Sequence, residues 1–543
     1  MKCVVGRRRL NQFGALLVLL GLLPGTASAA GGGQERAKRE FHKTLTLEAN
    51  QTVSVEHKFG NVQIHGGTGR EVQINAKIHA QAATQQEADS FAEKVQIDVA
   101  QGPDGIRIHT IYPDERTWSL RIGRKPSYSV EYDIVVPGDG KIWVKNAFGN
   151  VSLQGVRGWT DVANSNGQIS DQDGGAAKLV NSFGEVEASG MEGNLTIVNS
   201  NGSVMVSRVK GNVDVKDRFA EIKVSNVQGT ATISGGNGSV ELADAGASTI
   251  NSSFGEVSAR NIHGALVVNN HNGGIDANVV GGNAELNGSF AGITFANISG
   301  KVRCTNGNGA VKGIQVSEDV YVKSTFGEVK LEQIGGSVQV EDSNGNVVLR
   351  GIKGYAQMST SFGSIEGDEL FKGARVSAGN GRVSLTDVNG ETFVKASFGG
   401  VEIQRVNGNV TVENSNGAVT ENSVQGDAIT KTSFGAVSMS DVAGAITVDN
   451  QNGVVMVSAS RSSSPCRNIT VKTSFAPIQV RLPETVGFNL NAKTSFGRIS
   501  SELPVSSTGL VSGDSLNGKI GIGGCALSLT NTNSNIEILK LNR

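Results

Sequence analysis

The chain carries 49 basic and 50 acidic side chains among 543 residues, a formal net charge of −1, and it contains 72 glycines but only 9 prolines. Balanced charge excludes the basic footprint of a nucleic-acid binder, and abundant glycine without proline excludes a proline-rich stalk while suiting many tight turns. Aromatic residues are scarce at 5%, as expected of a narrow interior filled by small β-branched side chains.

Residues 1–29 read as a secretory signal peptide: Arg7, Arg8 and Arg9, an apolar run from Phe13 to Leu23, then the cleavage motif Ala27-Ser28-Ala29. The apolar run is too short for a comfortable membrane span, and no other stretch approaches the roughly 18 apolar residues that a span needs. Loss of the leader's four basic residues takes the net charge from −1 to −5. Cys304, Cys466 and Cys525 remain after cleavage, an odd number that leaves at least one thiol unpaired. Cys466 and Cys525 form a candidate disulfide, whereas Cys304 is expected at the side or in a turn.

Residues 30–40, glycine-rich and then charged, read as a flexible tether. Residues 41–147 are expected to hold opening rungs and an N-terminal cap. Leu45-Thr46-Leu47, Val53-Ser54-Val55 and Phe59-Gly60-Asn61-Val62-Gln63-Ile64 alternate as strands do. Between 82 and 95, Ala83, Glu87, Phe91 and Val95 recur at helical spacing without glycine or proline, which predicts one amphipathic helix covering exposed strand edges. Strand-like runs follow at 95–99, 105–111 and 128–136, with Pro103-Asp104-Gly105 and Pro137-Gly138-Asp139-Gly140 as turns.

From 148 to 451 one unit repeats. Phe148, Phe183, Phe219, Phe254, Phe290, Phe326, Phe362, Phe398 and Phe434 stand 35 or 36 residues apart. Midway between them lie Asn166, Asn201, Asn237, Asn272, Asn308, Asn344, Asn380, Asn416 and Asn452, so the true unit is 18 residues, marked alternately by Phe and Asn. Within it the pattern G-x-V-x-V occurs twice, as at Gly202 and Gly211, giving two short strands and two turns. Val204 and Val206 share one strand face while Ser203, Met205 and Ser207 take the other. One such rung cannot offset its ordering entropy of roughly 1 to 2 kcal/mol per residue. Stacked copies can, because each strand then bonds to equivalents about 4.8 Å above and below and the valines merge into one core. An all-β fold is predicted, an elongated β-solenoid of two-strand rungs. Residues 452–543 read as irregular rungs of the same solenoid, with Phe475 and Phe496 only 21 apart and a final strand at 536–541 that runs to the end uncapped. Counting to Ser534 gives about 21 rungs and a rod roughly 100 Å long.

Glycine after Phe or Asn reads as a positive-φ turn, and the Phe and Asn as a mixed corner column, large ring against small amide. The alternative is that the rings face outward for sugar stacking. Glu185, Glu221, Glu256 and Glu328 form a solvated outward row. Asp171 with Asp173, and Glu318 with Asp319, are adjacent acids assigned to turns and not placed for acid/base work. Seven scattered histidines lack metal spacing, and neither G-x-S-x-G nor a P-loop occurs, so no catalytic, metal or cofactor site is expected.

Phe59-Gly60-Asn61-Val62-Gln63-Ile64-His65-Gly66, the helix near 82–95 and the later S-F-G-x-V and S-N-G-x-V units together resemble the bacterial putative-adhesin repeat family over most of the mature chain. The resemblance implies an exported β-solenoid with a surface role and carries over no catalytic residues. The expectation is therefore a non-enzymatic exported scaffold, in the periplasm, on the outer surface or released, that binds a surface ligand such as a glycan or another envelope protein. Two alternatives stand beside it: a polysaccharide-active enzyme with a site in 461–516, and an envelope assembly component stacking end to end through its last strand.

Overall fold

The computed structural model describes residues 35–113, 127–460, 466–507 and 512–541. The leader and its cleavage motif lie outside the described residues. Nearly all the rest is strand, coiled into a β-solenoid of about 18 turns with a single helix among the described residues.

Each turn has two strands facing each other across the interior. In one unit, Val204–Val209 belongs to the first sheet and Val213–Asp217 to the second, and both pair in parallel with the units before and after. Register is strict. Val186, Val204, Ile222, Val240 and Val257 are vertical partners, and so are Leu195, Val213 and Ala231. Val204, Val206, Val209, Val213 and Val215 are all buried, and burying a side chain of this kind contributes about 1.5 to 3 kcal/mol.

Simple alternation would leave Val209 facing outward, since it lies three residues after Val206. It faces inward because Arg208 adopts φ 55°, and this left-handed step returns the next side chain to the core. The device recurs once per turn at Asn226, Asp244, Asn261, Val279, Asn297, Gln315, Gln333, Glu369, Asp387, Arg405, Ser423 and Asp441, and glycine takes its place at Gly155, Gly190 and Gly351. Each of these first-sheet strands thereby gains a third inward residue at the cost of one strained backbone position, about 1 to 2 kcal/mol for a side-chain-bearing residue.

The N-terminal region departs from the regular coil. Segment 35–40, expected within a flexible tether, instead opens strand Glu35–Thr46, which pairs antiparallel with Glu71–Ala82. Arg36, Lys38 and Glu40 are exposed while Ala37 is buried, so polar composition here marks an edge strand. Helix Gln85–Lys94 packs on both of these strands. Thr84 caps it by accepting from the Glu87 amide at 3.2 Å, which places Glu87 in the first turn and gives the buried face to Ala88, Phe91 and Ala92.

The C-terminal region differs more. Strand Ile536–Lys540 is not the end of the stack: it lies between Ile478–Leu482 and Ile499–Ser501, parallel to both. Likewise Cys525–Asn531 lies between Ile469–Thr473 and Phe488–Lys493. The chain therefore runs past its neighbour, turns back through Ser515–Ile520, which pairs antiparallel with Phe488–Lys493, and tucks its last two strands inside. The expectation of an uncapped last strand fails for this reason.

Cys466 and Cys525 are disulfide-bonded, with Cα atoms 5.8 Å apart. The bond fastens the start of the tucked segment to the turn beneath it. Cys304 is free and fully buried, not lateral. It has the parity of Val302 in the same strand and stacks between Leu286 and Val322.

Candidate functional site

The Phe/Asn corner joins each second-sheet strand to the following first-sheet strand. Asn166 is the register partner of both Phe148 and Phe183, and Phe183 bridges to Asn201, so ring and amide alternate in one column. The corner glycines are fixed by vertical crowding as well as by φ. A Cβ on Gly202, where φ is +142°, would lie 2.2 Å from the Gly184 carbonyl oxygen, and one on Gly435 would lie 1.8 Å from that of Gly417.

The rings of this column point outward. All nine repeat phenylalanines are exposed, from 47% at Phe148 to 64% at Phe290 and Phe362. Between them the Asn side chains lie flat: Asn201, Asn272, Asn308 and Asn380 each donate Nδ2 to the backbone carbonyl of Ser182, Ser253, Ser289 and Ser361, at 3.0 to 3.2 Å. Rings two rungs apart stand about 9.6 Å from one another.

The column continues where the sequence loses it. Phe475 donates its amide to the Gln451 carbonyl, Asn533 to that of Ser474, and Phe496 to that of Thr532, which repeats the corner bonding of Phe434 and Asn452. The tucked C-terminal segment thus places Asn533 between Phe475 and Phe496, so Phe and Asn alternate in space across a stretch where they do not in sequence. At the other end Phe59 stacks on Phe148, with centroids 5.4 Å apart.

Behind this corner runs a buried polar column that the repeat analysis did not single out. Asn181 donates Nδ2 to the carbonyls of Gly167 and Gly184 at 2.9 and 3.0 Å, and Asn450 donates to Gly435 and Gly453, both at 2.9 Å. Asn199, Asn270, Asn306 and Asn414 likewise donate to two corner carbonyls each, and Asn164 donates to that of Gly149. Each ties its own corner to the one below. Elsewhere Thr360 donates to the Gly345 carbonyl, and Asp217 accepts from the Phe219 and Ala220 amides. The legible signal was a small polar residue two positions before most corner Phe or Asn residues, with Gly235, Gly288, Ala378 and Ala396 as the exceptions.

The other acids fall into distinct settings. Asp171 is not in a turn: it is fully buried, takes a hydrogen bond from Thr160 at 3.4 Å, and burial pushes its pKa up to about 7. Asp173 takes the left-handed step beside it. Glu421 is likewise fully buried, hydrogen-bonded by Thr430 and raised to about 7 by burial. Glu318 and Asp319 sit at the opposite corner, where Asp319 pairs with Lys301 at 3.0 Å. In 461–516 the three carboxylates bond within the cap: Glu484 to Lys540 at 2.6 Å, Glu502 to the Lys540 amide at 2.9 Å, and Asp514 to Ser512. Among the described residues no group of three or more His, Cys, Asp or Glu is placed to hold a metal ion.

The N-terminal cap holds a polar aromatic cluster. His57 Nδ1 lies 3.1 Å from both Thr110 Oγ1 and Tyr112 OH, and Thr110 is 2.7 Å from Tyr132 OH. Burial lowers the His57 pKa to about 4, so the ring is neutral.

These features define a parallel β-solenoid with an aromatic corner. No family model matches the chain, and no curated protein matches it. Among solved structures it is similar to a protein of Clostridium sporogenes described as a putative cell adhesion protein, at 11% identity and a TM-score of 0.22, covering 34% of this chain and 100% of that one. Among the described residues no helix is long and apolar enough to cross a membrane.

Proposed function

We propose that this protein is an exported, non-enzymatic adhesive scaffold whose ligand-facing element is the Phe/Asn corner. The observation that carries the reading is the outward display of nine phenylalanines in a single column. Exposed apolar rings in such number cost solubility and contribute little to the fold, which favours an interaction role. Rings at a period of about 9.6 Å suit an extended polymer of matching repeat. A linear glycan fits, because the apolar face of a sugar ring stacks on an aromatic ring while its hydroxyls meet the intervening amides. Each contact is weak, and many in register multiply by effective concentration. The leader sequence and the disulfide support a location outside the cytoplasm.

The test replaces Phe290, Phe326 and Phe362 by Asn, the residue that already occupies the same corner in alternate turns. The triple variant should fold as the parent does and lose at least about tenfold in binding to cell surfaces or neutral glycan arrays. Unchanged binding, or glycan turnover by the parent that a point mutation abolishes, would refute the reading.

A further inference from the structure

The outward face of the second sheet carries a strip that the corner column does not include. Arg303, Tyr321, Gln339, Gln357, Arg375 and Phe393 are successive register partners over six rungs, a column about 24 Å long. One arrangement occurs in it twice. The Arg303 guanidinium lies 4.8 Å from the Tyr321 ring centre, and that of Arg375 lies 4.6 Å from the Phe393 ring centre. The two platforms are four rungs apart, about 19 Å.

Among the described residues neither guanidinium is ion-paired, whereas Arg350, Arg382 and Arg405 each meet a carboxylate. Of the nearby acids, Glu285, the register partner of Arg303 on its other side, accepts from Asn287 Nδ2 at 3.4 Å. Glu341 accepts from Tyr321 OH at 3.2 Å and from Gln339 Nε2 at 2.8 Å, and Asp319 pairs with Lys301. Beside the first platform the small Ser337 leaves an open groove of about 580 Å³, lined on its far side by the exposed Tyr355. Three of the chain's five tyrosines lie in or beside the N-terminal cap cluster, and the other two line this groove.

We propose that this strip is a second binding site and takes an acidic polysaccharide. A planar guanidinium held over a ring and not ion-paired can receive a carboxylate through two parallel hydrogen bonds. The aromatic faces accept the apolar side of a sugar, and the amides of Gln339 and Gln357 meet hydroxyls between the platforms. Two platforms on a rigid rod bind a chain that reaches both far better than one that reaches only one. The assignment does not depend on the Phe/Asn corner, which lies at the edge of the same sheet.

The experiment is calorimetric titration of the full chain with polygalacturonate oligomers of increasing length, and with neutral glucan oligomers of the same lengths. Polygalacturonate should bind, with affinity rising steeply once an oligomer spans both platforms and weakening as salt is added. Arg303→Gln and Arg375→Gln should each lose about tenfold, and the double variant should lose the length dependence altogether. Arg303→Lys, which keeps the charge but not the planar fork, should fall between parent and Arg303→Gln. The Phe290, Phe326 and Phe362 triple variant should bind polygalacturonate as the parent does, which separates this site from the corner. Absence of binding by the parent, equal binding of neutral glucan, or parental affinity in a double variant that melts like the parent would overturn the proposal.

Discussion

Glu421 accepts a hydrogen bond from Thr430 across the dry interior, from the first sheet to the second. Asp171 and Thr160 make the equivalent contact many turns away. Both acids have pKa values raised by burial to about 7, from 3.8 for Asp171 and 4.5 for Glu421. The folded chain therefore holds protons that the unfolded chain releases, and stability falls as pH rises from about 4 to about 7. At 1.36 kcal/mol per unit the loss is on the order of 3 to 4 kcal/mol at each site. Glu421→Gln should raise the unfolding midpoint at pH 8 and change it little at pH 4, as followed by urea titration at the two pH values.

His57 responds in the opposite sense. Its pKa falls from 6.5 to about 4, so the unfolded chain binds the proton first and stability is lost as pH drops from about 6.5 to about 4. Because solenoid stability is local, acid should loosen the N-terminal cap while it firms the turns around Asp171 and Glu421. Amide exchange at pH 5 and pH 7 should show protection falling in 52–56 and 105–111 and rising near 421. Uniform change along the rod would contradict this.

Val279 holds φ 58°, a conformation that a β-branched residue tolerates poorly, and its side chain is exposed. Gly155, Gly190 and Gly351 fill the same step in other turns. Val279→Gly should therefore stabilise the protein by about 1 kcal/mol, against the usual effect of glycine in a strand. The urea midpoint should rise with an unchanged slope.

Asn414 Nδ2 donates to Gly399 at 3.2 Å and to Gly417 at 2.8 Å. Asn414→Ala leaves two carbonyls without their donor and should cost about 2 to 3 kcal/mol. Asn414→Thr should cost under about 1 kcal/mol, because Thr360 already bonds the equivalent carbonyl in another turn. Equal losses in thermal melts of the two variants would show that the hydrogen bonds are not what matters.

The repeat period and G-x-V-x-V spacing made the solenoid legible, since period two places Val204 and Val206 on one face and only stacking can bury them. The inward turn of Val209 was not legible: it depends on a left-handed residue, and Arg208 carries no local mark of that conformation. Nor was the outward direction of Phe183, because a corner residue belongs to neither strand's alternation. The C-terminal tuck was hidden for a different reason. Ile499–Ser501 and Ile536–Lys540 both read as rungs, and which of them meets Ile478–Leu482 is a long-range choice that no local pattern encodes. Arg303 and Tyr321 became neighbours only once register was known.

The tuck also sets an order of events. Ile478–Leu482 finds its lasting partner only when residues 536–540 have been made, so that edge of the rod stays open while the intervening residues are synthesised. A chain cut short before Cys525 would carry every earlier turn intact yet present a bare edge, unlatched and free to recruit a neighbour. Pairing of the tucked strand closes that edge, and the disulfide between Cys466 and Cys525 seals the result.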